Sequence, residues 1–143
     1  MKTGIWIFLL VLFFTGCVKS GSGSIGLGNN YSLMTSGGSE RWTIAGNIFE
    51  GQVSKSIIIW NKVSKVGVTN QYIIGLRVKG GHPMHEERGR KNPQPYGYFI
   101  IDKYTGEKTL GLTEEEAKKA FTDLNISMNL LKKSSRLYTW EDE

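Results

Sequence analysis

Between Tyr72 and Lys79 the chain alternates with a period of two: Tyr72, Ile74, Leu76 and Val78 share one face, and Ile73, Gly75, Arg77 and Lys79 the other. That period belongs to an extended strand and not to a helix, and it predicts a half-buried strand of an antiparallel sheet. Runs of similar length precede and follow it. Tyr31 to Thr35 and Arg41 to Phe49 are strand-like, with Trp42, Ile44 and Ile48 on one face and Thr43 on the other. Ile57 to Trp60 is continuously apolar, as in a strand buried on both sides or crossing a sheet corner. Val63 to Val68, Gly97 to Lys103 and a short return from Glu107 to Leu110 complete the series. Turn clusters at 36–39, at Thr69 to Gln71 and at Thr105-Gly106 part them.

One helix is predicted from Thr113. Thr113 and Glu116 have the spacing of a capping box, in which the hydroxyl accepts from the third backbone N–H and the carboxylate reaches back. Glu114, Glu115 and Glu116 complement the positive end of the helix dipole, with Lys118 and Lys119 further along. Ala117, Ala120, Phe121 and Leu124 form the apolar stripe, and Asn125 is placed to stop the helix in a left-handed conformation. Met128, Leu130 and Leu131 are expected to start a second short helix, and the end from Trp140 to Glu143 is expected to fray. The predicted fold is α+β: an antiparallel sheet of about five to seven short strands, with one or two C-terminal helices packed on one face.

The N-terminus has a different character. Lys2 precedes an unbroken apolar run of ten residues, Ile5 to Phe14, and Thr15 and Gly16 then lead to Cys17. The run suits the apolar region of a secretory signal and is well short of the ~20 residues a spanning helix needs. The segment resembles the signal peptide and lipobox of a bacterial lipoprotein, with Phe14 where Leu is usual. That resemblance implies cleavage after residue 16 and a diacylglyceryl group on the Cys17 thiol. With Val18 rather than Asp next, it also implies sorting to the outer membrane, facing the periplasm, if the cell is Gram-negative. Residues 1–16 are thus expected to be a leader, 17–30 a lipidated cysteine and a flexible Gly/Ser tether, and 31–143 a single domain. Within the tether, Gly21 to Gly26 formally spells G-x-G-x-x-G, but no strand precedes it and no helix follows, so the linker reading stands.

Removing the leader leaves 127 of the 143 residues, enough for one ordinary domain. The net charge of +5 falls to about +4 with Lys2 gone, too mild for a nucleic-acid binder. Cys17 is the only cysteine, so its acylation leaves no disulfide, thiolate nucleophile or cysteine metal site, and stability must come from the core.

Four segments resemble a family of small uncharacterised bacterial lipoproteins: Lys62 to Val66, Gln71 to Gly75, Tyr98 to Gly106 and Leu112 to Glu116. Leu76-Arg77 stands where that family has Lys after the Tyr-Ile-Ile strand, and Ala117 where it has Phe. The resemblance spans residues 55–125 and its motifs are structural, so it implies a fold and an anchor but no reaction.

Gly80 to Tyr96 holds all three prolines and a dense mix of charge, and must be a loop. Loops this long are usually functional or disordered, so it is the expected partner surface. Within it His82, His85 and Glu86 form an H-x-x-H-E cluster. Pro83 lies between the histidines, whose spacing differs from the H-E-x-x-H of a zinc helix. Arg88, Arg90 and Lys91 are the densest basic group, suited to headgroups, acidic polymers or an acidic partner. Asp102 ends an apolar strand with no second carboxylate evident beside it, and before Lys103 to Gly106 it reads as a turn-opening residue. No cofactor, metal site or catalytic set is expected. The predicted role is non-enzymatic: a membrane-anchored envelope protein that binds or inhibits an envelope protein or toxin. An envelope enzyme or metal protein using His82, His85 and Glu86, and a structural envelope component, are the alternatives.

Overall fold

The computed structural model describes residues 22–36, 42–46, 56–60, 62–79 and 93–137. Four strands form the first antiparallel sheet in the order of the chain: β1 (Ser22–Gly28), β2 (Tyr31–Ser36), β3 (Trp42–Gly46) and β4 (Ser56–Ile59). The chain then crosses at Trp60 into a second sheet. Its strands are β5 (Val63–Val68), β6 (Tyr72–Arg77), β7 (Gly97–Asp102), β8 (Lys108–Leu112) and the two-residue β9 (Lys132–Lys133), in the order β8-β7-β6-β5-β9. The helix α1 (Glu114–Asp123), a 3₁₀ turn (Met128–Leu130) and the single-turn helix α2 (Ser134–Leu137) complete the described residues. The class is α+β, as expected, with nine described strands divided between two sheets.

The inner faces of the two sheets make one core. Leu27, Tyr31, Leu33, Trp42, Ile44, Ile58 and Ile59 from the first sheet meet Val63, Val66, Ile73, Phe99 and Ile101 from the second. The outer face of the second sheet is covered as well: Ile74 and Ile100 pack with Ala117, Phe121 and Ile126 beneath α1 and the segment after it. The half-buried strand expected over 72–79 is therefore corrected: residues 73, 74 and 75 of β6 are all buried, because one face meets the first sheet and the other the helix. Full burial of side chains of this size contributes roughly 1.5–3 kcal/mol each, so the central strands β6 and β7 carry much of the stability.

The helix forms as its termini dictate. Thr113 accepts from the Glu116 N–H at 3.3 Å, and Glu116 accepts from the Thr113 N–H at 2.8 Å. Asn125 has φ 55° and closes the C-terminus by donating its N–H to the Thr122 carbonyl at 3.0 Å. The helix expected from Met128 is a 3₁₀ turn, and a separate short α2 follows it.

The flexible tether expected over 17–30 is corrected from residue 22 onward. Ser22 to Gly28 is the edge strand of the first sheet, paired antiparallel with β2 from Ser22↔Ser36 to Gly28↔Tyr31. Asn29 and Asn30, at φ 48° and 65°, supply the two left-handed residues of a type I′ hairpin turn. Leu27 is buried and Ile25 half-buried against the core. The described domain thus reaches back to Ser22, ahead of residue 31.

The registers also fix which ends of the strands coincide. Ser22, Ser36, Trp42 and Trp60 line one end of the first sheet, and Val63, Arg77, Gly97 and Leu112 one end of the second. Arg77 donates to the Trp60 carbonyl, so these two ends are the same end of the domain. At the opposite end Lys103, just past β7, donates to the carbonyl of Leu27.

Gly75 shows how tight the shared core is. It lies opposite Phe99, whose ring occupies the space a Cβ would need, with the Lys65 carbonyl 2.8 Å from that position. Gly75→Ala is expected to lose about 1–3 kcal/mol through overpacking, read as a lower midpoint in chemical denaturation.

Candidate functional site

The residues singled out in the sequence fall unequally. Cys17, His82, His85, Glu86, Arg88, Arg90 and Lys91 lie outside the described residues, as does the segment 138–143. Asp102 is described, and so are both roots of the loop expected over 80–96: the described residues run to Lys79 and resume at Pro93.

Those roots are fastened by a buried cation. Arg77 closes β6 with 2 % of its surface exposed. Its Nε donates to the Trp60 carbonyl at 3.4 Å and its Nη1 to the Gln94 carbonyl at 2.6 Å. The guanidinium also lies 4.5 Å from the Tyr96 ring centroid and 5.9 Å from that of Trp60. Two π faces and backbone carbonyls replace the water that burial removes. Burial pulls this guanidinium below its ordinary value, and the Tyr96 phenol opposes the change. Arginine remains charged through such shifts.

Gln94 makes the second fastening. Its Nε2 donates to the Ile58 carbonyl at 2.8 Å, and its Oε1 accepts from the Trp60 N–H at 2.9 Å. The side-chain amide pairs with the outer edge of β4 as a neighbouring strand would, satisfying an edge that would otherwise be open. Pro93 to Tyr96 is thereby joined to the first sheet through Gln94 and to the second through Arg77. Neither residue is conspicuous in sequence. Arg77 looks like the polar member of an alternating strand, and Gln94 like one more polar residue of a proline-rich loop.

The other end of the domain has its own polar group. Asp102 is the turn-opening residue expected of it: Oδ1 accepts from the N–H groups of Tyr104 at 2.8 Å and Thr105 at 3.0 Å. Oδ2 accepts from Gln71 Nε2 at 2.9 Å. The Gln71 bond, followed by the two backbone donors, holds this carboxyl below the usual range. The turn is therefore supported above the ordinary carboxylate pKa, and that support is lost as pH falls through the depressed folded value. Burial, and secondarily the Asp102 charge, push the Tyr31 phenol up.

Lys103 beside it is 9 % exposed, with its Nζ 3.3 Å from the Leu27 carbonyl, and burial lowers its pKa. Among the described residues no group of three His, Cys, Asp or Glu side chains is placed to hold a metal. None of the described helices is long and apolar enough to cross a membrane.

Two stability measurements test these assignments. Gln94→Ala leaves the Ile58 carbonyl and the Trp60 N–H without that partner, and is expected to lower stability by about 1–3 kcal/mol. Burial depresses the folded pKa of Lys103, so the wild type gains stability as pH rises toward the ordinary lysine value, and Lys103→Met, which lacks the charge, is expected not to show that gain. Denaturation at pH 7 and pH 10 reads both effects.

Comparison with known proteins gives one match. No curated protein and no solved structure matches the chain. The family described as "Protein of unknown function (DUF3997)" matches residues 28–135, from the β1–β2 hairpin to α2, which is more than half of the chain. The chain belongs to that family of proteins of unknown function.

Proposed function

We propose that the protein is a lipid-anchored lipoprotein of the cell envelope that acts by binding, as an inhibitor or immunity-type partner of an envelope protein or toxin, and not by catalysis. In a cell with two membranes its place is the outer one, facing the periplasm. The observation that carries the anchor is the spacing at the N-terminus. An apolar run too short to span ends three residues before the only cysteine, and the first described strand begins five residues after that cysteine, at Ser22. Two or more acyl chains on Cys17 would make anchoring stable, at roughly 0.8 kcal/mol per buried methylene.

The binding role is supported by how the described polar groups are used. Asp102 is engaged by its own turn, Arg77 by carbonyls and rings, and Gln94 by the edge of β4. The loop between Lys79 and Pro93 is rooted on buried, well-bonded supports, the arrangement by which a scaffold presents a recognition segment.

Labelled palmitate is expected to enter the wild-type protein and not Cys17→Ser; equal labelling contradicts the anchor. A photo-crosslinking residue at His85 in intact cells is expected to give one discrete protein adduct. The same adducts from a control position at Thr122 contradict specific binding. A stoichiometric metal that is lost in the His82→Ala/His85→Ala double variant would replace the binding role with a metal-dependent one.

A further inference from the structure

We infer that the β5–β9 edge of the second sheet is a docking surface for the anionic headgroups of the membrane that holds the anchor; this rests on the lipid-anchor reading above. No acidic residue occurs between Glu50 and Glu86, or between Asp123 and Glu141. The fold pairs these two stretches. Lys65 of β5 is the direct partner of Lys133 of β9, and Val66 that of Lys132. Like charges opposite one another on paired strands destabilise a sheet, so this edge bears a repulsion that an anion would relieve.

More basic groups lie on the same side. Ser134 donates its hydroxyl to the Val63 carbonyl at 2.7 Å, which brings α2 with Arg136 to the β5 end where Lys62 stands. Lys79 lies just past the neighbouring end of β6. Among the described residues Glu114 is near enough to feel the Lys65 charge, and it is already paired with Lys118 at 2.6 Å.

On the lipid-anchor reading the membrane is the nearest anionic surface. This basic corner is at the end of the domain where β1 begins. Only residues 18–21 separate Cys17 from Ser22, so an extended leash reaches at most about 18 Å. The leash bounds the start of β1, and because the basic corner lies at the same end of the domain it is held on the side that faces the headgroups, whose attraction reaches over a screening length of about 8 Å at physiological ionic strength. Tyr96 and Val78, 43 % and 37 % exposed, stand at the same end and provide the aromatic and apolar contacts that suit a membrane interface. Attraction of a basic side chain near an anionic surface amounts to about fivefold in affinity.

The test uses the full chain carrying Cys17→Ser, sedimented with vesicles of phosphatidylcholine alone or with one-third phosphatidylglycerol. The leader contributes equally to every variant, so the readout is the preference for the anionic vesicles. That preference is expected to fall with added salt, and to fall by about 25-fold in Lys65→Gln/Lys133→Gln. The double variant is expected to melt at a higher temperature than its parent, because the cross-strand repulsion is gone. This outcome separates lost binding from lost folding.

An unchanged preference in the double variant overturns the proposal. So does a loss of binding to soluble polyglutamate without a loss for vesicles, which would assign the edge to an acidic protein. Palmitate labelling reports the anchor separately: labelling without a phosphatidylglycerol preference refutes the surface and leaves the anchor in place.

Discussion

The central strands of the second sheet, β6 and β7, are buried on both faces, and the rest of the domain follows from that constraint. Ile73, Phe99 and Ile101 point toward the first sheet while Ile74 and Ile100 point toward α1, so β6 and β7 form the middle of three layers. A strand in that position has no wet face on which to place a charge, and unpaired charge is far too costly to bury there. Polar chemistry is therefore driven to the strand ends. β6 is six residues long, which at about 3.3 Å per residue separates its two ends by roughly 20 Å.

The two ends use that freedom differently. At one, Arg77 and Gln94 tie the return of the long loop to both sheets, and the N-terminus and the basic β5–β9 edge lie nearby. At the other, Asp102 organises a tight turn next to the β1–β2 hairpin, with Tyr104 an exposed aromatic at 70 %. On the lipid-anchor reading, the first end lies against the membrane and the second faces away from it. The leash is the decisive quantity. The thirteen residues of a tether over 18–30 would leave the orientation free, whereas the four residues between Cys17 and Ser22 restrict it.

Local chemistry was legible in the sequence where it acts within a few residues. The capping box of Thr113 and Glu116, the left-handed Asn125 and the Asp102 turn all use neighbours two or three positions away. The first strand was obscured because Gly and Ser dominate Gly21 to Gly28. The signal that could have revealed it is Ile25 and Leu27, mirrored by Tyr31 and Leu33 around Asn29-Asn30, two residues that favour a type I′ turn. The double burial of β6 was hidden because Gly75, Arg77 and Lys79 made one of its faces look polar. The basic edge was beyond local reading altogether, since Lys65 and Lys133 belong to distant segments and meet only through the pairing of β5 with β9. The same holds for Arg77, whose partners at Trp60 and Gln94 lie seventeen residues away on either side.

That the folded domain reaches back to Ser22, close behind Cys17, is the claim on which the anchor geometry and the orientation both depend. Hydrogen–deuterium exchange of the amides in 22–28, on the mature full-length protein, tests it most directly. The amides that face β2 are expected to exchange slowly, in step with their partners in 31–36. Fast and uniform exchange across 22–28, with protection beginning only at Tyr31, would contradict it.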